Sequence, residues 1–278
     1  MSVDCRSHAA FRAEHEFEEG PRGDDRTEVR FSLVVPVFNE DSCLETTITE
    51  ALEAARALGH PFELIAVDDG STDRTASVLR SLVARMPELR VLSLPRNCGQ
   101  SAAFGAGFAA ARGAYVVTMD ADGQNDPRDI GRLLGAMSDC DCCCGIRTNR
   151  RDTWAKRAAS RVANAARRGL VHDGVIDTGC SLKAMRTDFA RRLPMHLRGM
   201  HRFIPALLRM WGARISQIEV GHRARLSGKS KYTNLGRLRV TVRDVLMVRW
   251  MQRRASIATA SEIGREIARE TSPCAGRR

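Results

Sequence analysis

The feature that most constrains this chain is a repeated juxtaposition. Short apolar, β-branched runs alternate with helix-length segments, and each run ends in a cluster of acids, amides or glycines. The runs are Phe31–Val37, Phe62–Val67, Val91–Leu94 and Tyr115–Met119. Helical patterns separate them: about 41–58, stopped by Gly59 and Pro61, then a segment ending near Met86, then 99–112. Strands alternating with helices predict an α/β domain, its mostly parallel sheet covered by helices on both faces. Ligands of such sheets bind beyond the carboxyl ends of the strands. Asn39-Glu40, Asp68-Asp69, Arg96-Asn97 and Asp120–Asp126 all fall there. Any one of these is an ordinary turn; together on one edge they point to a site.

Further along, the pattern predicts a helix over 128–137, a strand over 140–146 and a basic amphipathic segment over 155–169. A loop or short strand is expected over 177–183, a helix over 200–211 and an extended segment over 214–221. Residues 1–29 read as a polar mobile tail. Residues 30–222 form the α/β domain, 223–255 a basic loop with an amphipathic helical extension, and 256–278 a C-terminal tail.

Charge is distributed unevenly. The net charge is +11, yet residues 222–278 alone carry 14 basic and four acidic side chains. This favours an anionic partner: lipid headgroups, a phosphorylated ligand or nucleic acid. Aromatic residues make up only 5% and no nucleic-acid module is present, which argues against nucleic acid. Ordinary surface charge from an Arg-rich composition is the competing reading. Leu235, Leu238, Val242, Val245, Leu246, Trp250 and Met251 form an apolar stripe interleaved with arginines. Such a stripe lies in a membrane interface or packs on the protein's own core. No run of 18 apolar residues occurs, so a conventional transmembrane helix is not expected.

The nine cysteines are an odd count, and residues 1–29 contain no apolar core of a signal peptide. Free thiols in a reducing, cytoplasmic location account for both. Cys140, Cys142, Cys143 and Cys144 crowd too closely along the chain to converge on one tetrahedral ion. They read as a buried strand of small apolar thiols.

Asp120-Ala121-Asp122-Gly123-Gln124 is the strongest chemical cluster. In an extended segment Asp120, Asp122 and Gln124 point one way, presenting three oxygens suited to Mg²⁺ or Mn²⁺. The competing reading is an Asx-type turn before Pro127. Asp68–Asp73 offers carboxylates for base or ribose groups, with Asp73 the better helix cap. Gly105 and Gly107 fall inside a predicted helix, where close packing is their expected role. Arg147, the Arg198–Phe203 segment and the Arg225–Tyr232 segment supply cations that can clamp phosphates.

Taken in order, Val34-Val-Pro-Val-Phe-Asn-Glu40, Asp68-Asp-Gly-Ser-Thr-Asp73, Asn97-Cys-Gly-Gln100, Met119–Pro127 and Gly228-Lys-Ser-Lys-Tyr232 resemble the family 2 glycosyltransferases of the GT-A fold. The resemblance covers about residues 30–252. Within that family the chain is most similar to the polyisoprenyl-phosphate glycosyltransferases, the group containing dolichol-phosphate mannose synthase. The resemblance implies a Rossmann-like GT-A sheet and a nucleotide-sugar donor held by Pro36, Phe38, Glu40, Val67, Asp69, Asp120 and Ala121. It implies Mg²⁺ or Mn²⁺ on Asp120, Asp122 and Gln124, with Asp122 and Asp177 in catalytic roles. Arg147, Arg202, Arg225 and Lys231 match positions that contact donor or acceptor phosphates. Phe38 stands where Tyr is more usual. The implied reaction is inverting sugar transfer to a polyprenyl phosphate, by a protein peripheral on the inner face of the plasma membrane and touching its anionic surface. Transfer to a glycan or lipid hydroxyl is the alternative.

Overall fold

The computed structural model describes residues 29–147, 169–171, 173–223 and 234–255. The strands among them are β1 (Phe31–Val37), β2 (Phe62–Asp68), β3 (Leu89–Ser93), β4 (Tyr115–Thr118), β5 (Cys142–Arg147), β6 (Lys183–Arg186) and β7 (Ile215–Val220). They form one sheet in the order β3-β2-β1-β4-β6-β5-β7. The β1–β2, β1–β4, β2–β3 and β5–β7 pairs are parallel, and β6 runs antiparallel to both neighbours. The helices are α1 (Leu44–Arg56), α2 (Thr75–Val83), α3 (Gln100–Ala110), α4 (Ile130–Gly135), α5 (Thr187–Arg192), α6 (Ile204–Met210) and α7 (Asn234–Arg254).

The expected α/β alternation is present as far as β4. The antiparallel β6 and the short α5 are additions that periodicity did not reveal. The helix expected over 128–137 is α4 flanked by two 3₁₀ turns, Pro127–Asp129 and Ala136–Ser138. The tails at 1–28 and 256–278 and the basic segment at 155–168 lie outside the described residues.

Two apolar layers sandwich the sheet. On one face Leu33, Val35 and Val37 pack with Leu44, Ile48 and Leu52 of α1, Leu79 and Leu82 of α2 and Ile130 and Leu133 of α4. On the other, Val34, Ile65 and Val67 pack with Phe104 and Phe108 of α3, Leu207 of α6, and Val245 and Val248 of α7. The alternation along β1 is what strand geometry requires when both faces are covered. The cysteines of β5 obey the same rule: Cys143 enters the first layer, Cys142 and Cys144 the second, all fully buried. The thiol-rich strand is therefore core.

At the amino end of the sheet a buried carboxylate is fully served. Glu63 accepts from Ser32 Oγ (2.7 Å) and Arg112 N–H (2.7 Å), and pairs with Arg90. Burial pushes its carboxyl up, but these donors outweigh it and the group stays acidic.

The carboxyl end is built differently. The strand order turns back on itself between β1 and β4, which is where open α/β sheets form a binding crevice. β4 also stops early: Thr118 pairs with Val34, whereas β1 continues to Val37. About three residues of β1, roughly 10 Å, run on beside a chain that has left the sheet. The Asp120–Gln124 segment occupies that notch.

Gly107 of α3 faces Val34, and a Cβ there would lie 2.3 Å from Val34 Cγ1. Close packing is thus the role of this glycine, as the sequence predicts. Gly107→Ala forces helix and strand apart. We expect it to lower unfolding free energy by about 1–3 kcal/mol in urea denaturation, despite alanine's better helix propensity.

Candidate donor site at the sheet rim

Four loops converge on the notch, and backbone demands explain much of their sequence. Asn39 adopts a left-handed conformation, φ 52°. Its amide bridges to Thr72: Thr72 N–H donates to Oδ1 at 2.8 Å and Nδ2 donates to Thr72 Oγ1 at 3.3 Å. Asn39 N–H donates to Ser71 Oγ and Glu40 N–H to Thr75 Oγ1, each at 3.0 Å. The loops after β1 and β2 are thus laced into one unit. Asp73 accepts from Thr75 N–H at 2.9 Å, so the residue the sequence favoured as cap serves the start of α2 from one place before its N-cap, Arg74. Gly70 lets the β2 loop touch the β3 loop; a Cβ there would lie 2.4 Å from the Arg96 carbonyl carbon.

The residues expected to hold the nucleoside divide into two groups. Pro36, Phe38 and Glu40 are partly exposed along the end of β1. Val67 is fully buried in the second apolar layer, and its strand partner is Pro36. Asp69 receives Cys98 N–H (2.7 Å) and Gly99 N–H (2.8 Å), one on each carboxylate oxygen. It therefore anchors the start of α3, where an anion also meets the positive end of the helix. Ala121 is buried, and its carbonyl accepts from the Cys43 thiol at 3.4 Å.

The Asp120–Gln124 segment turns rather than extends. Gly123 takes φ 72°, and Gln124 N–H donates to Asp122 Oδ1 at 3.1 Å, an Asx turn. Strand alternation therefore does not align the three oxygen-bearing side chains. Asp120 is held at two points. Gln100 Nε2 donates to its Oδ1 at 2.7 Å, and its N–H donates to Asn125 Oδ1 at 3.1 Å. Asn125 Oδ1 also accepts from Ser181 Oγ at 2.8 Å. Burial, and then the like charge of Asp122, push the Asp120 carboxyl above its ordinary range, against the pull of Ser181, Lys183 and Arg147.

Arg147 and Asp177 face each other. Arg147 Nε and Nη2 donate to Asp177 Oδ2 and Oδ1 at 2.8 and 2.9 Å, and Gly179 N–H donates to Oδ1 at 3.1 Å. Asp177 thus orients Arg147. Gly179 makes room: a Cβ there would lie 2.5 Å from Arg147 Nη2. Arg202 lies in the 3₁₀ turn Met200–Phe203. Arg225 and Lys231 lie outside the described residues.

Several residues here escaped the sequence reading. Gln100 stands inside a quoted motif, yet nothing local shows that it reaches Asp120. Lys183 is buried on β6, opposite Thr118 and Cys144, and donates to the Cys180 carbonyl. Its signal was available: it is one of only four lysines, set in the apolar stretch Ser-Leu-Lys-Ala-Met. Ser101 and His201 join α3 to the 200–203 turn through Oγ···Nδ1 at 2.8 Å and His201 N–H to Oγ at 3.3 Å.

The donor set suits a hard cation. Asp120 and Asp122 are carboxylates in each other's field, Gln124 adds an amide, and burial followed by the charge of Asp122 makes Asp120 harder to ionise, a cost that a bound cation would relieve. Among the described residues no group of three or more His, Cys, Asp or Glu side chains is gathered for a metal. Two carboxylates plus phosphate oxygens of a substrate are a normal Mg²⁺ environment.

The profile of Glycosyl transferase family 2 matches residues 32–193, and the chain belongs to that family. It is 38% identical over 204 residues to the undecaprenyl-phosphate 4-deoxy-4-formamido-L-arabinose transferase of Edwardsiella ictaluri, covering 72% of this chain and 62% of that protein. It is 37% identical over 231 residues to the dodecaprenyl-phosphate galacturonate synthase of Rhizobium johnstonii, covering 81% and 68%. The chain therefore spans about three fifths of the arabinose transferase's length. Glucosyl-3-phosphoglycerate synthase from Mycobacterium tuberculosis, crystallised with Mn²⁺, UDP and phosphoglyceric acid, superposes with TM-score 0.60 at 20% identity over 84% of this chain and 80% of that one. The mannosyltransferase PcManGT from Pyrobaculum calidifontis, with GDP-Man and Mn²⁺, gives 0.57 at 18% identity over 83% and 66%.

Burial, followed by the charges of Arg202 and Lys183, pushes His201 down to about 3. The folded state therefore holds a neutral imidazole. Its contribution to stability is complete above the unfolded value near 6.5 and is lost as pH falls from there toward 3. Unfolding free energy measured from pH 7 to pH 4 is expected to decline, with a shallower decline in His201→Gln. Identical slopes would show that His201 does not titrate this way.

Proposed function

We propose that this chain transfers a sugar from a nucleotide-sugar donor to a polyprenyl phosphate, with inversion at the anomeric carbon. The observation that carries this reading is the 37–38% identity to two kinds of polyprenyl-phosphate sugar transferase, over 204 and 231 residues. Pro36, Phe38, Glu40 and Asp69 line the donor side. Asp120, Asp122 and Gln124 would hold Mg²⁺ or Mn²⁺, which supplies charge neutralisation for the departing diphosphate.

The chemistry asks little acid–base work of the protein. The acceptor phosphate is anionic at neutral pH, and one of its oxygens attacks the anomeric carbon as the bond to the diphosphate breaks. Arg147, fixed by Asp177, presents a pre-oriented guanidinium to phosphate oxygens. Lys183 contributes a buried positive charge behind Asp120. Arg202 adds a further cation for acceptor phosphate, a role that the family resemblance also gives to Arg225 and Lys231. Alignment and electrostatics supply the rate.

The acceptor lives in a bilayer, and α7 offers a means of reaching it. Val245 of the stripe and the neighbouring Val248 are buried in the core. Leu246 and Trp250, one turn apart, are 57% and 59% exposed, among the exposed Arg243, Arg253 and Arg254. No helix of the described residues is long and apolar enough to cross a membrane. Peripheral binding to an anionic surface through this ridge fits that arrangement. The cytoplasmic face fits the seven free cysteines among the described residues.

Incubation with a panel of labelled nucleotide sugars and undecaprenyl phosphate is expected to give an acid-labile, organic-phase product. Asp122→Ala is expected to lower turnover at least 100-fold with an unchanged circular dichroism spectrum. A stable glycoside instead of the acid-labile product would establish the hydroxyl-acceptor reaction, and full activity of the variant would remove Asp122 from the chemistry. Leu246→Glu with Trp250→Glu is expected to weaken sedimentation with anionic vesicles about tenfold while leaving nucleotide binding unchanged. Equal sedimentation would leave the ridge without this role.

A further inference from the structure

The turn that carries the acidic trio is clamped from behind by the chain leaving β7. Gly221 N–H donates to Asp129 Oδ2 at 2.7 Å, and Asn125 forms an isolated antiparallel bridge with His222. Arg223 then makes contacts to three residues. Its N–H donates to the Gln124 carbonyl at 2.9 Å, Nη1 donates to Glu50 Oε2 of α1 at 2.5 Å, and Nη2 donates to Asp126 Oδ1 at 3.1 Å. One side chain therefore ties together a helix on one face of the sheet, the acidic turn and the exit of an edge strand.

We propose that Arg223 is a positioning residue that holds the Asp120–Gln124 turn in the shape its oxygen ligands need. The proposal rests on reading that turn as the donor and cation site. Three features carry it. First, the turn itself is closed by a 3.1 Å Asx bond from Gln124 N–H to Asp122 Oδ1 with Gly123 at φ 72°, and contacts from outside complete its restraint. Second, the restraint acts on Gln124 itself, through the main chain of a residue whose side chain is a cation ligand candidate. Third, Glu50 and Asp126 both direct carboxylates at Arg223, and without it these like charges would drive the turn off α1. A planar guanidinium can serve two carboxylates from different elements at once; an ammonium cannot reproduce that fork. Asp126 is otherwise occupied in capping the Pro127–Asp129 turn and binding Arg128. It keeps its charge, its carboxyl held down to about 2 by Arg128 first and then, against burial, by the other donors, Arg223 among them.

The test compares the full chain with Arg223→Met, Arg223→Lys and Glu50→Gln, the last removing one arm of the clamp from outside the turn. Two quantities are read: hydrogen–deuterium exchange of the peptide covering 120–129, and Mn²⁺ affinity from the electron paramagnetic resonance of free Mn²⁺ with nucleoside diphosphate present. Because both side-chain contacts are partly exposed, Arg223→Met is expected to weaken Mn²⁺ binding about 3- to 10-fold. Exchange over 120–129 should accelerate to a similar degree while β1 and β2 amides keep their protection. Arg223→Lys and Glu50→Gln should fall between. Wild-type exchange over 120–129 in Arg223→Met would overturn the proposal, as would acceleration spread evenly over the sheet. If the wild-type chain binds no Mn²⁺, the donor-site reading fails, and the exchange data still decide whether Arg223 holds the turn.

Discussion

The structure turns on two carboxylates that stand in each other's field at one rim of the sheet. Asp120 and Asp122 sit at the carboxyl end of β4, in a notch that exists because β4 ends three residues before β1 does. Burial and mutual repulsion make Asp120 harder to ionise. Everything around them serves to keep them there: Gln100 and Asn125 from the protein interior, Ser181 from the segment before β6, and Arg223 from behind. The contrast with Glu63 at the other end of the sheet is instructive. Glu63 is buried too, but it is paired with Arg90 and bonded to Ser32 and the Arg112 amide, so it stays acidic and closes the structure. An acid served by that many donors stabilises a fold; an acid that burial and a neighbouring acid make harder to ionise marks a candidate site.

How much of this was legible in the sequence depends on the range of each interaction. Strands β1 to β4, the buried thiol strand and the loops at the rim are written in local patterns, since alternation and turn chemistry act over a few residues. Asp73 serving the start of α2 and Gly107 as a packing site were readable for the same reason. The pairing of Arg147 with Asp177 was not, because the two are 30 positions apart and each resembles a ligand-binding residue on its own. Gln100 and Arg223 act across 20 and 97 positions and left no local trace. The antiparallel β6 is short, and its charged Lys183 breaks the apolar pattern that would have announced it. The turn at Asp120–Gln124 was visible as a competing reading, since Gly123 before Gln-Asn-Asp-Pro is turn chemistry, and it is this turn that the chain adopts.

The amphipathic extension shows why a stripe alone could not choose between two fates. An α-helix has faces enough for both. Asp244, Val245 and Val248 go inward, and Gln252 donates to the Val171 carbonyl at 2.6 Å, while Leu246 and Trp250 go outward. The helix is thus bound firmly to the catalytic body and offers a separate ridge to the outside, with Arg254 lying 5.5 Å over the Trp250 ring. The helix therefore keeps one ridge outward while its other face joins the layer that covers the sheet.

The most direct measurement is anomalous diffraction at the manganese edge from crystals soaked with Mn²⁺ and a nucleoside diphosphate. The account predicts one peak in the notch between β1 and β4, bonded to Asp122 and to oxygens of both phosphates. A well-ordered diphosphate in that notch with no manganese beside Asp120 or Asp122 would contradict it.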